Sequence, residues 1–373
     1  MQRGNVTATD DPASAGRVGA FDLARGLAVV FMILVHVLRH WGDPSTWTTP
    51  IGNVISTLGG PPAAPVFVFL MGASLAFSRR TSFAALARRG LWLIAAGYLL
   101  DFLRGTLPLE LGLATGVVTM DQVAPFTPFS LLTTVDILQL AGCSLVVMAA
   151  LRRVMAPGPG WLVVAAAIVL VAPALHGRTT GFPVADALLG MVWQTTGTVY
   201  YPIFPWAAFP LVGAVVGELL LHAGDRRAML RRLGVLGLAG AVLGAALVSS
   251  TATPLDIATY WRLPPVLAMA ILGFVLAWIW ACDVVSRSVG ERFGLGAVYR
   301  WSSRVTSMYV IHWLIISWGV AIVGFRVLSL VPTLLGAVAV LIATILVSRW
   351  RPRLPGVPSQ AGSGAAPAPS AGR

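Results

Sequence analysis

The sequence predicts an all-α, polytopic membrane protein with about ten transmembrane helices. Three observations carry that prediction. Of the 373 residues, 57% are hydrophobic and 11% charged, with a mean hydropathy of +0.82, a composition suited to a bilayer rather than to a water-soluble domain. Apolar segments near the 20 or so residues needed to cross the hydrocarbon core recur along the chain. Arginine alternates between successive loops as cytoplasmic and non-cytoplasmic loops do.

The ten segments lie near 21–41, 61–78, 84–104, 129–151, 161–176, 198–222, 231–250, 263–284, 300–323 and 327–348, the fifth being the shortest. All 26 basic residues are Arg. Twenty fall in the two tails and in the loops that follow even-numbered spans; five (Arg39, Arg104, Arg178, Arg262 and Arg326) fall on the other side, and Arg25 lies inside the first span. That parity places both termini in the cytoplasm of a multi-pass cell-membrane protein.

The chain divides into a cytoplasmic, disordered segment 1–19, a membrane domain 20–349, and a small-residue and Pro-rich tail 350–373. The first nineteen residues lack the apolar stretch of a cleavable signal, so the first helix stays in the mature protein.

The net charge of +12 and pI near 11.2 do not indicate nucleic acid, because the arginines sit between apolar runs rather than on a water-facing patch. The partner they imply is the lipid bilayer. Cys143 and Cys282 both fall in apolar segments, which excludes a disulfide framework. No HExxH, Cys pair, phosphate-binding loop, dinucleotide fingerprint or G-x-S-x-G is present, so no metal site is expected. Gly213/Gly217 and Gly240/Gly244 have the spacing of close-packed membrane helices.

Ionisable groups inside a span are costly and mark functional sites by default. In FDLARGLAVVFMILVHVLRHW, Asp22, Arg25, His36 and His40 form one stripe. Arg25 and His36 are eleven residues, almost three turns and roughly 16 Å, apart on one face. Asp22 and Arg25 lie toward the cytoplasmic end, where an Arg can hold an anion. His36 lies in the outer half, where a neutral His can take a proton from a nucleophile. The same spacing also fits an interfacial Asp22–Arg25 ion pair with His36 bonded to a carbonyl.

In SRVTSMYVIHWLIISW, Tyr309 and His312 are one turn apart near mid-membrane, either as packing or as part of a shared cavity. Asp136 and Gln139 are one turn apart in the fourth span, where Asp136 can orient a His or an amine, or cap the helix. Tyr200 and Tyr201 stand at the outer end of the sixth, and Asp101 and Arg104 close the third as an ion pair. The candidate residues are therefore His36, His312 and Asp136 for catalysis, Arg25 and Asp22 for an anionic donor, and His40, Tyr309 and Tyr200 for substrate binding.

The stretches FDLARGLAVVFMILVH, PPAAPVFVFLMGASLAFSRR, RRGLWLIAAGYLLDFL, VDILQLAG, VYYPIFPWAAFPLVGAVVGELL and SRVTSMYVIHWLI together resemble the bacterial members of the heparan-alpha-glucosaminide N-acetyltransferase family, within the transmembrane acyltransferase superfamily. The resemblance implies an acyltransferase, of the kind transferring groups other than aminoacyl groups. It would move an acetyl group from acetyl-CoA, or another acyl group from acyl-CoA, to a hydroxyl or amine of a glycan, lipid-linked or secreted acceptor, with no permanently bound cofactor. In related membrane acyltransferases an Arg and a His with ten residues between them on the first helix form the core of the site, a spacing that Arg25 and His36 reproduce. The lysosomal enzyme of the family carries its active histidine in the loop after that helix. Here the matching stretch WGDPSTW has Asp43 and Pro44, which leaves the chemistry to His36 or His40. A transporter or flippase using the same embedded residues as a substrate or proton path is the alternative, and a homo-oligomer is open.

Overall fold

The structure is a computed structural model that describes residues 18–250, 256–289 and 295–350. The expectations for most of segment 1–19 and for the tail lie outside the described residues. Ten apolar helices coincide with the ten expected segments: α1 Gly19–His40, α2 Ala64–Ala73, α3 Phe83–Thr115, α4 Ile137–Val154, α5 Pro159–Leu175, α6 Ile203–Leu221, α7 Arg226–Ser250, α8 Pro265–Val289, α9 Val305–Val323 and α10 Leu330–Arg349. Among the described residues there is no strand, only the isolated bridges Gly42–Leu328 and Val135–Val199. The protein is an all-α, multi-pass membrane protein.

Eight of the ten helices are long and apolar enough to cross a membrane; α2 and α5 are shorter. The second segment, not the fifth, is the shortest. At 10 residues, α2 rises about 15 Å, half of a hydrocarbon core. Gly59, Gly60, Pro61 and Pro62 precede it and delay its start. A helix this short needs protein around it, and Val66, Val68, Phe69 and Leu70 are fully buried.

The contact between α2 and α6 is backbone to backbone. A Cβ on Gly213 would lie 2.1 Å from the Phe69 carbonyl oxygen, and one on Gly217 2.3 Å from that of Ala73. Gly240 has nothing nearer than the Cα of Gly273 at 4.0 Å. The same small-residue spacing is therefore a tight contact in α6 but a loose one at Gly240. Gly213→Ala is expected to lower stability by about 1–3 kcal/mol through overpacking. Gly240→Ala is expected to be neutral or slightly stabilising through helix propensity. Thermal unfolding midpoints of the two variants in detergent check the contrast.

Helix α1 is the hub of the fold, packing on α2, α8, α9, α10 and the short helix Leu295–Ser302. Its buried face, including Ala24, Ala28, Ile33 and Val37, faces these neighbours, and its last two turns deliver His36, Arg39 and His40 to one end of the bundle. At that end the chain from Phe325 to Leu328 runs beside the terminus of α1. The Arg326 amide donates to the His40 carbonyl at 2.9 Å, and the Leu328 amide to that of Trp41 at 2.8 Å.

Candidate active site

A cavity of about 500 Å³ opens at the C-terminal end of α1, within the size range of small-molecule sites. Its wall takes Met32, His36, Arg39 and His40 from α1, Asp101 and Arg104 from α3, Asp136 beside α4, and Tyr309 and Trp313 from α9. Tyr200, Tyr201, Tyr260 and Trp261 form an aromatic side, the last two on the short helix Ile257–Arg262. Tyr200 and Tyr201 are placed next to Asp136 because both of their amides donate to the Val135 carbonyl, at 3.0 and 3.1 Å. Asp256 is a third carboxylate of the wall, and the Thr259 amide beside it holds its carboxyl below the usual carboxylate range.

Hydrogen bonding assigns the histidine tautomers. His312 Nδ1 lies 2.9 Å from the Met308 carbonyl. A carbonyl only accepts, so this nitrogen carries a proton, and the neutral ring leaves Nε2 as an acceptor. His312 Nε2 is 3.0 Å from His36 Nδ1, which must then be the donor. In the neutral pair His36 therefore keeps its lone pair on Nε2, and His36 lines the cavity. The two rings are nearly parallel, 3° apart, and Trp313 stacks on His36 at 4.1 Å. His40 is fixed in the same sense, its Nδ1 donating to the His36 carbonyl at 2.9 Å.

Behind the imidazoles lies a buried polar network. Arg104 donates through Nε and Nη2 to Asp101 Oδ1 at 3.0 and 2.8 Å, and through Nη2 to Asp136 Oδ2 at 2.6 Å. Gln139 donates to Asp101 Oδ2 at 2.6 Å, and the Tyr309 hydroxyl to Asp136 Oδ2 at 2.9 Å. The Arg104 guanidinium also lies 4.1 Å from the centroid of Trp313.

The position of Arg104 has a local cause. Pro108, four residues later, cannot donate to its carbonyl and crowds it. Residues Phe102–Thr106 form a π-helical turn there, a distortion frequent at functional sites.

The sequence candidates sort as follows. His36, His40, Asp136, Tyr200 and Tyr309 line the cavity. His312 does not; it is fully buried and reaches the cavity only through His36. Asp136 combines its two expected roles, with Oδ1 accepting from the Ile137 amide at 2.8 Å at the start of α4, and Oδ2 holding Arg104 and Tyr309.

Arg25 and Asp22 are not part of the cavity wall. Arg25 donates to Ser74 at 2.8 Å and Ser302 at 3.4 Å, 3.7 Å from the Asp22 carboxylate, while Ser302 donates to Asp22 at 2.8 Å. Arg25 thus braces α1 against the end of α2 and the helix Leu295–Ser302. The cavity stops at Met32, about 10 Å along the helix from Arg25, so among the described residues it does not extend to Arg25.

Asp101 and Arg104 form the expected ion pair, but not at a helix end. They sit within α3, which continues to Thr115, and join the site instead of closing a helix. Sequence reasoning missed Trp313 and Arg39; Pro108 was the available signal for Arg104. Among the described residues no group of three His, Cys, Asp or Glu side chains is placed to hold a metal ion.

No match to an individual curated protein is found. Residues 17–248 match the family model described as heparan-alpha-glucosaminide N-acetyltransferase, catalytic. That stretch covers more than half of the chain and includes α1 to α6 and nearly all of α7, with His36, His40, Asp101, Arg104 and Asp136 of the cavity. The chain belongs to the heparan-alpha-glucosaminide N-acetyltransferase catalytic family, which makes it a membrane acetyltransferase by family.

Proposed function

We propose that this protein transfers an acetyl group from acetyl-CoA to a hydroxyl or amine of a glycan, lipid-linked or secreted acceptor bound in the cavity at the end of α1. The observation that carries this reading is the His36–His312 pair, which leaves His36 Nε2 as a lone pair on the cavity wall.

In the proposed reaction the acceptor's O–H or N–H points at His36 Nε2, which removes the proton as the nucleophile attacks the thioester carbonyl. The imidazolium shares its Nδ1 proton with His312 Nε2. Collapse of the tetrahedral intermediate breaks the carbon–sulfur bond. CoA leaves as thiolate and takes the proton back from His36 Nε2, so the pair ends as it began. A free Nε2 suits direct transfer and needs no acyl-histidine.

In this reading the protein lies in the cell membrane with both termini in the cytoplasm, and the arginine distribution supports that orientation. His36 then stands in the outer half of the bilayer and the acceptor arrives from outside. The thioester has to pass Met32 from the cytoplasmic side.

Purified protein in sealed vesicles tests both parts. Acetyl-CoA on the side of the N-terminus is expected to acetylate a glycan or lipid-linked acceptor supplied on the other side. Absence of transfer to any acceptor of a broad panel would overturn the activity. A requirement for donor and acceptor on the same side would overturn the orientation.

A further inference from the structure

We propose that Arg39 and Arg326 form a clamp for a phosphate group carried by the acceptor, at the rim of the cavity and one helical turn from His36. The proposal rests on the acceptor site described above and adds the chemical class of what enters it.

The two arginines are 287 residues apart in sequence, yet the Nε of Arg326 donates to the backbone carbonyl of Arg39 at 3.3 Å. Their guanidinium carbons lie 4.5 and 4.8 Å from the centroid of one ring, Trp47. That ring is fixed by its own N–H bond to the Leu38 carbonyl at 3.0 Å. Like charges placed together repel, and a fold keeps such a pair when something compensates it.

Stacking on Trp47 offsets part of the repulsion, but among the described residues neither arginine has a carboxylate partner. Arg104 in the same cavity has two, so Arg104 is already neutralised and the rim pair is not. Arg326 is also held in the left-handed region at φ 59, a costly conformation for a side-chain-bearing residue. The bond from its amide to the His40 carbonyl fixes it beside α1.

Each guanidinium has five N–H donors. Arg39 spends one on Ser56, at 3.1 Å, and Arg326 one on the Arg39 carbonyl. The remaining donors belong to two guanidinium forks that share the Trp47 ring. A carboxylate is filled by a single fork, whereas a phosphate presents three terminal oxygens and up to two negative charges to both. Arg39 and Ser56 are themselves part of the cavity wall, with His36 one turn away. A phosphate held there leaves the adjoining part of the same molecule within reach of His36 Nε2.

Binding can be read without turnover, so a failure here is distinguishable from a failure of the proposed reaction. The thermal unfolding midpoint of the full chain is followed against inorganic phosphate and glycerol 1-phosphate in detergent, and against a polyprenyl phosphate in nanodiscs. Glycerol and polyprenol serve as uncharged comparators.

Phosphate ligands are expected to stabilise both the wild type and His36→Ala. Arg39→Gln and Arg326→Gln are each expected to weaken binding by about tenfold or more, the scale of a lost charged hydrogen bond. Stabilisation by the soluble ligands alone assigns a soluble acceptor, and by the polyprenyl phosphate alone a lipid-linked one; either supports the clamp. Should a Gln variant fail to fold, Arg39→Lys and Arg326→Lys keep the charge without the fork, and a severalfold weakening is expected. Equal stabilisation of wild type and variants, or none with any phosphate ligand, would overturn the proposal.

Discussion

His36→Ala is expected to lower kcat for acetyl transfer by about two to four orders of magnitude, the usual contribution of a positioned general base, with little change in the KM for either substrate. The expectation follows from one lone pair. His36 Nε2 is the nitrogen left unprotonated when His312 Nε2 accepts from His36 Nδ1 and His312 Nδ1 is tied to the Met308 carbonyl.

His312 touches no part of the cavity and is a positioning residue, so its removal should act through the tautomer of His36. In His312→Ala the His36 Nδ1–H loses its acceptor. The ring can then place its proton on Nε2, where it no longer serves as a base. A fall in kcat smaller than that of His36→Ala, at unchanged KM, is the expected signature. His40 also offers an Nε2 to the cavity, and a His36→Ala enzyme as active as the wild type would transfer the role to it.

The ten helices were legible because a bilayer demands long apolar runs whatever the fold. Helix lengths were less so. Protein-enclosed α2 has the composition of a lipid-facing span, and only Gly59, Gly60 and the two prolines after them hint at its late start. Helical arithmetic put His36 and His40 on one face and Tyr309 with His312, and that much of the site followed from period alone.

The same arithmetic drew Arg25 into the stripe, yet its environment is set by Ser74 and Ser302, residues 49 and 277 positions away. Arg39 beside Arg326 and Arg104 beside Asp136 are likewise tertiary contacts. Local periodicity carries no information about either.

Arg104→Met is expected to destabilise the protein by about 3–5 kcal/mol, the cost of removing one member of a buried ion pair. Asp101 and Asp136 are 2% and 7% exposed, and one guanidinium bridges them. Without it two buried carboxylates are left near each other with no cation between them. The loss would also loosen α3 from α4, because Arg104 carries the bond from α3 to Asp136 and only the Gln139–Asp101 bond of the network would still join the two.

Arg104→Lys should recover part of the stability. Its single ammonium replaces the charge but not the two-pronged geometry. The double variant Arg104→Met with Asp136→Asn removes a negative charge along with the positive one, and is expected to be more stable than Arg104→Met alone. A double-mutant cycle on unfolding free energies in detergent measures that coupling. If the single and double variants are equally destabilised, Asp136 is not the partner that makes the loss of Arg104 costly. The network would then serve the cavity's chemistry rather than hold α3 to α4.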